Sequence, residues 1–209
     1  MTLTPRDHQL LETLTRRVRI LSVRHVANVW WPMTHSTETA QRRLRGLEKA
    51  RLLELHRINA HPPLPDEAPL FAWKPGANDP DPSIISQFAR RRWGQPARPT
   101  DVCVASPLGA SLFGSTARGL PAQEHRDHDL RLADVFVRYW NRSPHLAAVW
   151  VGEHALPKAG YRIKDPDAFL QDHQGRILRV IESAGRYSPA QVESFHEHCA
   201  ELSLPYELW

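Results

Sequence analysis

The sequence of 209 residues predicts an α/β chain built of two modules. Three observations lead there. Residues 1–100 carry 16 Lys+Arg against 9 Asp+Glu, and residues 101–209 carry 11 against 14, so a +7 front half precedes a −3 back half. The front half opens with three short helical segments followed by two strand-like runs. The back half reads α-β-β-β-α-β. Hydrophobic residues make up 41% and charged residues 24%, an ordinary globular balance. No apolar run approaches the roughly 18 residues of a membrane span. The segment Met1 to Asp7 lacks the apolar core of a secretory signal. Cys103 and Cys199 are the only cysteines, too few for a disulfide scaffold, and a cytoplasmic location is expected.

Each element has a local cause. Thr4-Pro5 supplies a cap and a proline at the first helical position, and Leu10, Leu11 and Leu14 recur at helical spacing. Ser22 caps a second helix through Val23, Val26, Ala27, Val29 and Trp30, which Pro32 ends. Thr34 or Ser36 caps a third, running to about Lys49. Its Ala40, Leu44 and Leu47 share one face, and Glu38, Gln41, Arg42, Arg45 and Lys49 the other. Leu52 to Ile58 reads as a strand, Ala60 to Pro69 as a Pro-rich loop, and Leu70 to Trp73 as the returning strand of a hairpin. Three helices followed by a hairpin is the order of a winged helix-turn-helix. Residues 75–82 read as a linker. Ser83 caps a helix to Trp93 that bears Arg90-Arg91-Arg92, a candidate extra phosphate contact, and a strand is expected from Asp101 to Ser106.

A recognition helix needs an apolar stripe to seat it and a polar face to enter the major groove. The third helix offers both. His35, Ser36, Thr37 and Thr39 at its start are hydrogen-bonding, and Gln41, Arg42 and Arg45 reach base edges, Arg favouring guanine and Gln adenine. Arg43 lies nearer the seam and suits a phosphate or a packing role, and Lys49 closes the basic face. The alternative is a solvated amphipathic helix charged for solubility. The expected wing loop carries Asp66 and Glu67 without a Lys or Arg, which suits phosphate poorly. The excess of Arg over Lys, 23 to 4, fits phosphate contact and equally a GC-rich genome.

Leu3-Thr4-Pro5-Arg6-Asp7, the leucines of the first helix, and Thr39 to Leu47 followed by Leu52-Leu53 resemble the replication-relaxation family. The resemblance implies a winged-helix protein of plasmids and other mobile elements. A strand and Gly-containing turn follow the wing in that family, and Asp101 to Gly114 is similar.

In the back half a helix is expected from His128 to Trp140, then strands at Ala147–Val151, Pro166–Leu170 and Ile177–Glu182, a helix from Pro189 to Leu202 and a strand from Pro205 to Trp209. Pro166-Asp167, a strand-turn-strand, and Glu182-Ser183-Ala184 are similar to the P-D…(D/E)-X-K signature of restriction-endonuclease-like folds. Carboxylates at adjacent strand ends bind Mg²⁺ in that arrangement, and a lysine two residues beyond the second shares its strand face. Here Ala184 stands at the lysine position and residues 188–204 contain no lysine. Lys158 and Lys164 are the only lysines of this half, and Arg186 is the nearest cation in sequence. Asp167 and Glu182 remain candidates for Mg²⁺ in a vestigial site, or a strand-end carboxylate pair without a role. His196 and His198 point to opposite sides of their helix and do not share an ion. Cys103 reads as core.

The predicted fold class is therefore α/β in two modules. Residues 1–118 are a winged helix-turn-helix with an appended helix and strand, and residues 124–209 a degenerate restriction-endonuclease-like fold. The expected function is sequence-specific double-stranded DNA binding, as a regulator or a replication or mobilisation accessory factor of a mobile element. The expected form is a homodimer whose back module docks a protein partner, DNA or itself, without catalysis and without a membrane. The rivals are a Mg²⁺-dependent endonuclease guided by the winged helix, and a protein-interaction adaptor.

Overall fold

The computed structural model describes residues 2–63, 68–92, 94–116, 119–153 and 166–209. Asp66 and Glu67 of the expected wing loop, the expected helix end at Trp93, and Lys158 and Lys164 lie outside them. The chain is a mixed α/β fold with two sheets, one of three antiparallel strands and one of five mixed strands. It divides into two compact units, Met1–His61 with Ala97–Pro144, and Pro62–Pro96 with His145–Trp209.

The first unit begins with α1 (Pro5–Arg16), whose start is a capping box: the Thr4 hydroxyl accepts the Asp7 N–H, and the Asp7 carboxylate accepts the Thr4 N–H. A two-residue strand β1 (Leu21–Ser22) follows, then α2 (Val23–Trp30) capped by Ser22 and α3 (Thr37–Lys49) capped by Ser36. Strands β2 (Leu53–Ala60) and β4 (Arg98–Ala105) pair over their whole length, from Leu53 opposite Ala105 to Ala60 opposite Arg98. β1 adds to the other side of β4, giving the order β1-β4-β2. Helix α5 (Pro107–Ser111) lies close to the turn after α3. A Cβ on Gly109 would stand 1.9 Å from the Leu52 carbonyl oxygen, so only glycine permits that approach.

The expected hairpin between residues 52–58 and 70–73 does not form. β3 (Phe71–Trp73) pairs antiparallel with β8 (Tyr206–Leu208) in the second unit, where Trp73 stacks on Tyr206 at 5.7 Å. The eight-residue β4 matches β2 in length and buries Val102, Cys103 and Val104, which a three-residue run cannot replace. Residues 62–96 are thus an insertion at the tip of the β2–β4 pair, and residues 75–82 do not link the units.

The boundary expected between residues 118 and 124 also shifts. Helix α6 (Gln123–Arg142) is longer than expected and belongs to the first unit. It buries Leu130, Ala133, Val135 and Phe136, and its Trp140 meets Trp30 at 5.7 Å. Its buried acids are paired within that unit: Asp129 with Arg19 at 3.3 Å and Asp134 with His25 at 3.4 Å.

The second unit holds the sheet β3-β8-β7-β6-β5, with β5 (Trp150–Gly152), β6 (Ala168–Gln171) and β7 (Ile177–Glu182) as an antiparallel meander. β8 returns parallel to β7 after α8 (Pro189–Glu201), and α4 (Pro82–Arg92) packs on α8. Ala147 and Ala148, expected at the start of a strand, instead end a short helix α7 (Pro144–Ala148), and the strand begins at Trp150. Trp73, Ile85, Ala89, Phe169, Val180, Ala184, Val192, Phe195 and Tyr206 share this unit's core.

Candidate functional site

Helix α3 is seated by Ala40, Leu44 and Leu47, each fully buried. That orients the remaining positions. Arg42, Arg45 and Lys49 are exposed, with Thr37 and His35 at the helix start, and Gln41 is half-buried beside them. Ser36 and Thr39 are used locally: the Ser36 hydroxyl accepts the Thr39 N–H at 3.2 Å and donates to the Thr39 hydroxyl at 3.0 Å. They start the helix rather than extend its outer face. Arg6 adds an exposed cation from α1, its guanidinium 4.7 Å from the Trp31 ring centre.

Arg43 is turned inward and joins two helices. Its Nε donates to Asp7 Oδ1 at 2.7 Å, its Nη2 to Asp7 Oδ2, and Nη2 also reaches the Thr2 carbonyl at 3.4 Å. Asp7 is 1% exposed. Burial alone would raise its carboxyl, but the guanidinium and the Thr4 hydroxyl and N–H outweigh it and hold the carboxyl below its usual value. The hydrogen bond to Asp7 raises Arg43 in turn. Arg43 thus clamps α3 to α1, the packing role of the two expected for it and not the phosphate contact. Thr4 was legible as the helix cap, but no local pattern singled out Asp7 or joined it to a residue 36 positions away.

By unit, the charge division persists. The first unit carries 17 Lys+Arg against 10 Asp+Glu, and the second 10 against 13.

The second candidate is the carboxylate pair. Asp167 stands just before β6 and Glu182 ends β7, and the register places them opposite one another. Both are buried, at 7% and 3% exposure. Their backbones and side chains interlock: the Asp167 N–H donates to Glu182 Oε2 at 3.3 Å, and the Ser183 N–H to Asp167 Oδ2 at 2.7 Å. The Tyr187 hydroxyl donates to Glu182 Oε1. Burial, the charge of Glu182 and that hydrogen bond all push the Tyr187 phenol up, so it stays a donor. Tyr187 carried no sequence signal, because it lies in the irregular turn before α8 and reaches Glu182 only through tertiary packing.

Ala184, at the lysine position of the motif, is fully buried among Val180, Val192, Phe195 and Tyr206. Its surroundings are those of a packing residue. Among the described residues, no group of three or more His, Cys, Asp or Glu is placed to hold a metal ion. His196 is engaged by the Tyr206 hydroxyl at 3.0 Å and by Asp79 at 3.2 Å. Burial pushes both thiols up to about 12, with Glu182 adding to the rise at Cys199, so neither is a ready nucleophile near neutral pH. No helix among the described residues is long and apolar enough to cross a membrane. No family model matches the chain, and neither the curated proteins nor the solved structures include a match to it.

Proposed function

We propose that the first unit is a winged helix-turn-helix that binds duplex DNA, with α3 as the reading helix. One observation carries the reading: on α3 the apolar stripe is fully buried and Arg43 is internally paired, while Arg42, Arg45 and Lys49 face solvent from a unit of charge +7. The order α1-β1-α2-α3-β2-β4, with β4 between β1 and β2, supports it. In that arrangement β2 and β4 are the wing. Arg and Gln on the outer face can read guanine and adenine edges in the major groove.

The test is selection of bound duplexes from a random pool, followed by Arg42→Ala and Arg45→Ala on the selected site. Each variant should lose about 1–3 kcal/mol and relax preference at one base position. Wild-type affinity and preference in both would remove α3 as the reader.

A second reading is a Mg²⁺-dependent endonuclease, favoured by the side-by-side Asp167 and Glu182 on a meander with a parallel fourth strand. The donor set argues for a non-catalytic scaffold instead. It consists of two carboxylates already holding Ser183, Tyr187 and one another, with alanine where a cation is wanted. Metal-dependent nicking of plasmid that disappears in Asp167→Ala would favour the endonuclease.

A further inference from the structure

The second unit is net acidic, yet three of its ten cations are consecutive at the end of α4: Arg90, Arg91 and Arg92. Their placement follows from how α4 is seated. Ile85 and Ala89 are buried in the core, and the Ser86 hydroxyl donates to the Tyr187 carbonyl at 2.7 Å. That bond holds α4 beside the start of α8. Between them runs a groove of about 420 Å³, lined by Ser83, Ser86, Gln87, Arg90, Arg91 and Pro189. The first five fall on one stripe of α4, at helical spacings of three and four.

The chemistry of that stripe is uniform. It presents the Ser83 hydroxyl, the Gln87 amide and two guanidinium groups, the Ser86 hydroxyl being committed to Tyr187, and no carboxylate among the described residues lines it. Arg90 and Arg91 are exposed, and neither has an ion-pair partner among the described residues. Arg91 also lies over the ring of Phe88, 5.8 Å from its centre, and Phe88 is 48% exposed. Cations in the last turn suit the helix dipole of α4. The dipole does not account for a hydroxyl-and-amide wall on the same groove, nor for the exposed aromatic ring beneath a guanidinium. Arginine forks and hydroxyls are the groups that hold phosphate oxygens, and an open groove flanked by an aromatic ring accepts a chain of phosphates with its sugars and bases.

We propose that the α4 groove is a phosphodiester site, a nucleic-acid backbone contact on the second unit that is separate from α3. It does not depend on α3 being the base reader. It recognises phosphate and not sequence, so it adds affinity with strong salt dependence and no base preference.

The test uses the full chain and a mixed-sequence labelled duplex, with affinity read by anisotropy across a salt series. Losing two phosphate contacts in the double variant Arg90→Ala, Arg91→Ala should flatten the slope of log affinity against log salt by about 1.8. A rise from about 50 to about 200 mM salt would then cost the variant about 12-fold less affinity than it costs the parent. The charge-preserving Arg90→Lys, Arg91→Lys pair should keep most of the parental slope. Both positions are exposed, so folding is not at stake. An unchanged slope and affinity in the alanine pair overturns the proposal, whatever Arg42→Ala and Arg45→Ala do. Loss with the α4 pair upholds it, and the α3 reading is decided separately, by Arg42→Ala and Arg45→Ala on the selected site. Inorganic phosphate, titrated against chloride at matched ionic strength, separates the sources. Phosphate that shifts the Arg90 and Arg91 side-chain resonances while the duplex slope ignores both residues marks a free-anion site and overturns the polymer reading.

Discussion

Replacing Arg43 by alanine separates the structural arginine of α3 from its outward neighbours. Asp7 Oδ2 keeps the N–H and hydroxyl of Thr4, both at 2.6 Å, but Oδ1 is held by Arg43 Nε alone among the described residues. The substitution therefore leaves one oxygen of a buried carboxylate without a donor. An unsatisfied buried acceptor costs about 1–3 kcal/mol, more when charged. Breaking a fully buried ion pair costs about 3–5 kcal/mol. The Arg43 side chain is 28% exposed, so water reaches its vacated place and moderates the loss. We expect about 2 kcal/mol, inside the lower range. Hydrogen exchange followed by mass spectrometry reads this locally, and amides of α1 and α3 should exchange about 30-fold faster. Arg42→Ala and Arg45→Ala, on the exposed face, should change exchange little.

The pH dependence has a definite sign. The folded Asp7 carboxyl lies below its unfolded value, so its contribution is present above about pH 4 and fades as pH falls through the lowered folded value. Arg43→Ala should remove that contribution and flatten the acid limb. Unchanged exchange in α1 and α3, or a loss of base preference equal to that of Arg42→Ala, would refute the clamp.

Three further outcomes follow from the same geometry. Because β2 and β4 stay paired out to Ala60 and Arg98, replacing residues 62–96 by a short Asn-Gly turn in a chain ending at 144 should leave a cooperatively folding first unit that still binds duplex; failure to fold would mean that the second unit supports the first. Ala184→Lys should lower the melting stability of the second unit by at least about 1–3 kcal/mol, because the longer chain must enter a filled apolar cluster, and it should not create Mg²⁺-dependent nicking; cleavage by this variant would contradict the packing role. Light scattering on a selected inverted-repeat duplex should return two copies of the 23.9 kDa chain per site, and a single copy at saturation would defeat the dimer.

The outward face of α3 was legible because helical periodicity decides it: once Ala40, Leu44 and Leu47 turn inward, Arg42 and Arg45 must turn outward. Arg43 escaped the same logic. Its position between the two faces fits a phosphate contact and a clamp equally well, and only the approach of α1, which brings Asp7, decides between them. Asp167 and Glu182 were likewise paired in the sequence by their places at the ends of two neighbouring strands. The donors that occupy them, Tyr187 and the Ser183 N–H, come from packing and from strand register.

By itself the sequence determined where most elements begin. Thr4, Ser22, Ser36 and Ser188 each cap a helix with a side-chain bond to an N–H three residues on, a contact closed within a single turn and indifferent to the rest of the chain. The strand Ile177–Glu182 and the turn before it are local in the same sense. Tertiary structure decided which strands pair and which unit each helix serves. Phe71–Trp73 carries no local mark of its partner at Tyr206–Leu208, more than 130 residues away. A three-residue strand is too short to select a partner by its own ladder, so burial of Trp73 against Tyr206 chooses for it. Helix α6 read as part of the back half because its neighbours in sequence lie there. Its buried Asp129 and Asp134 find Arg19 and His25 in the front half, and burying charge demands those partners whatever their distance along the chain.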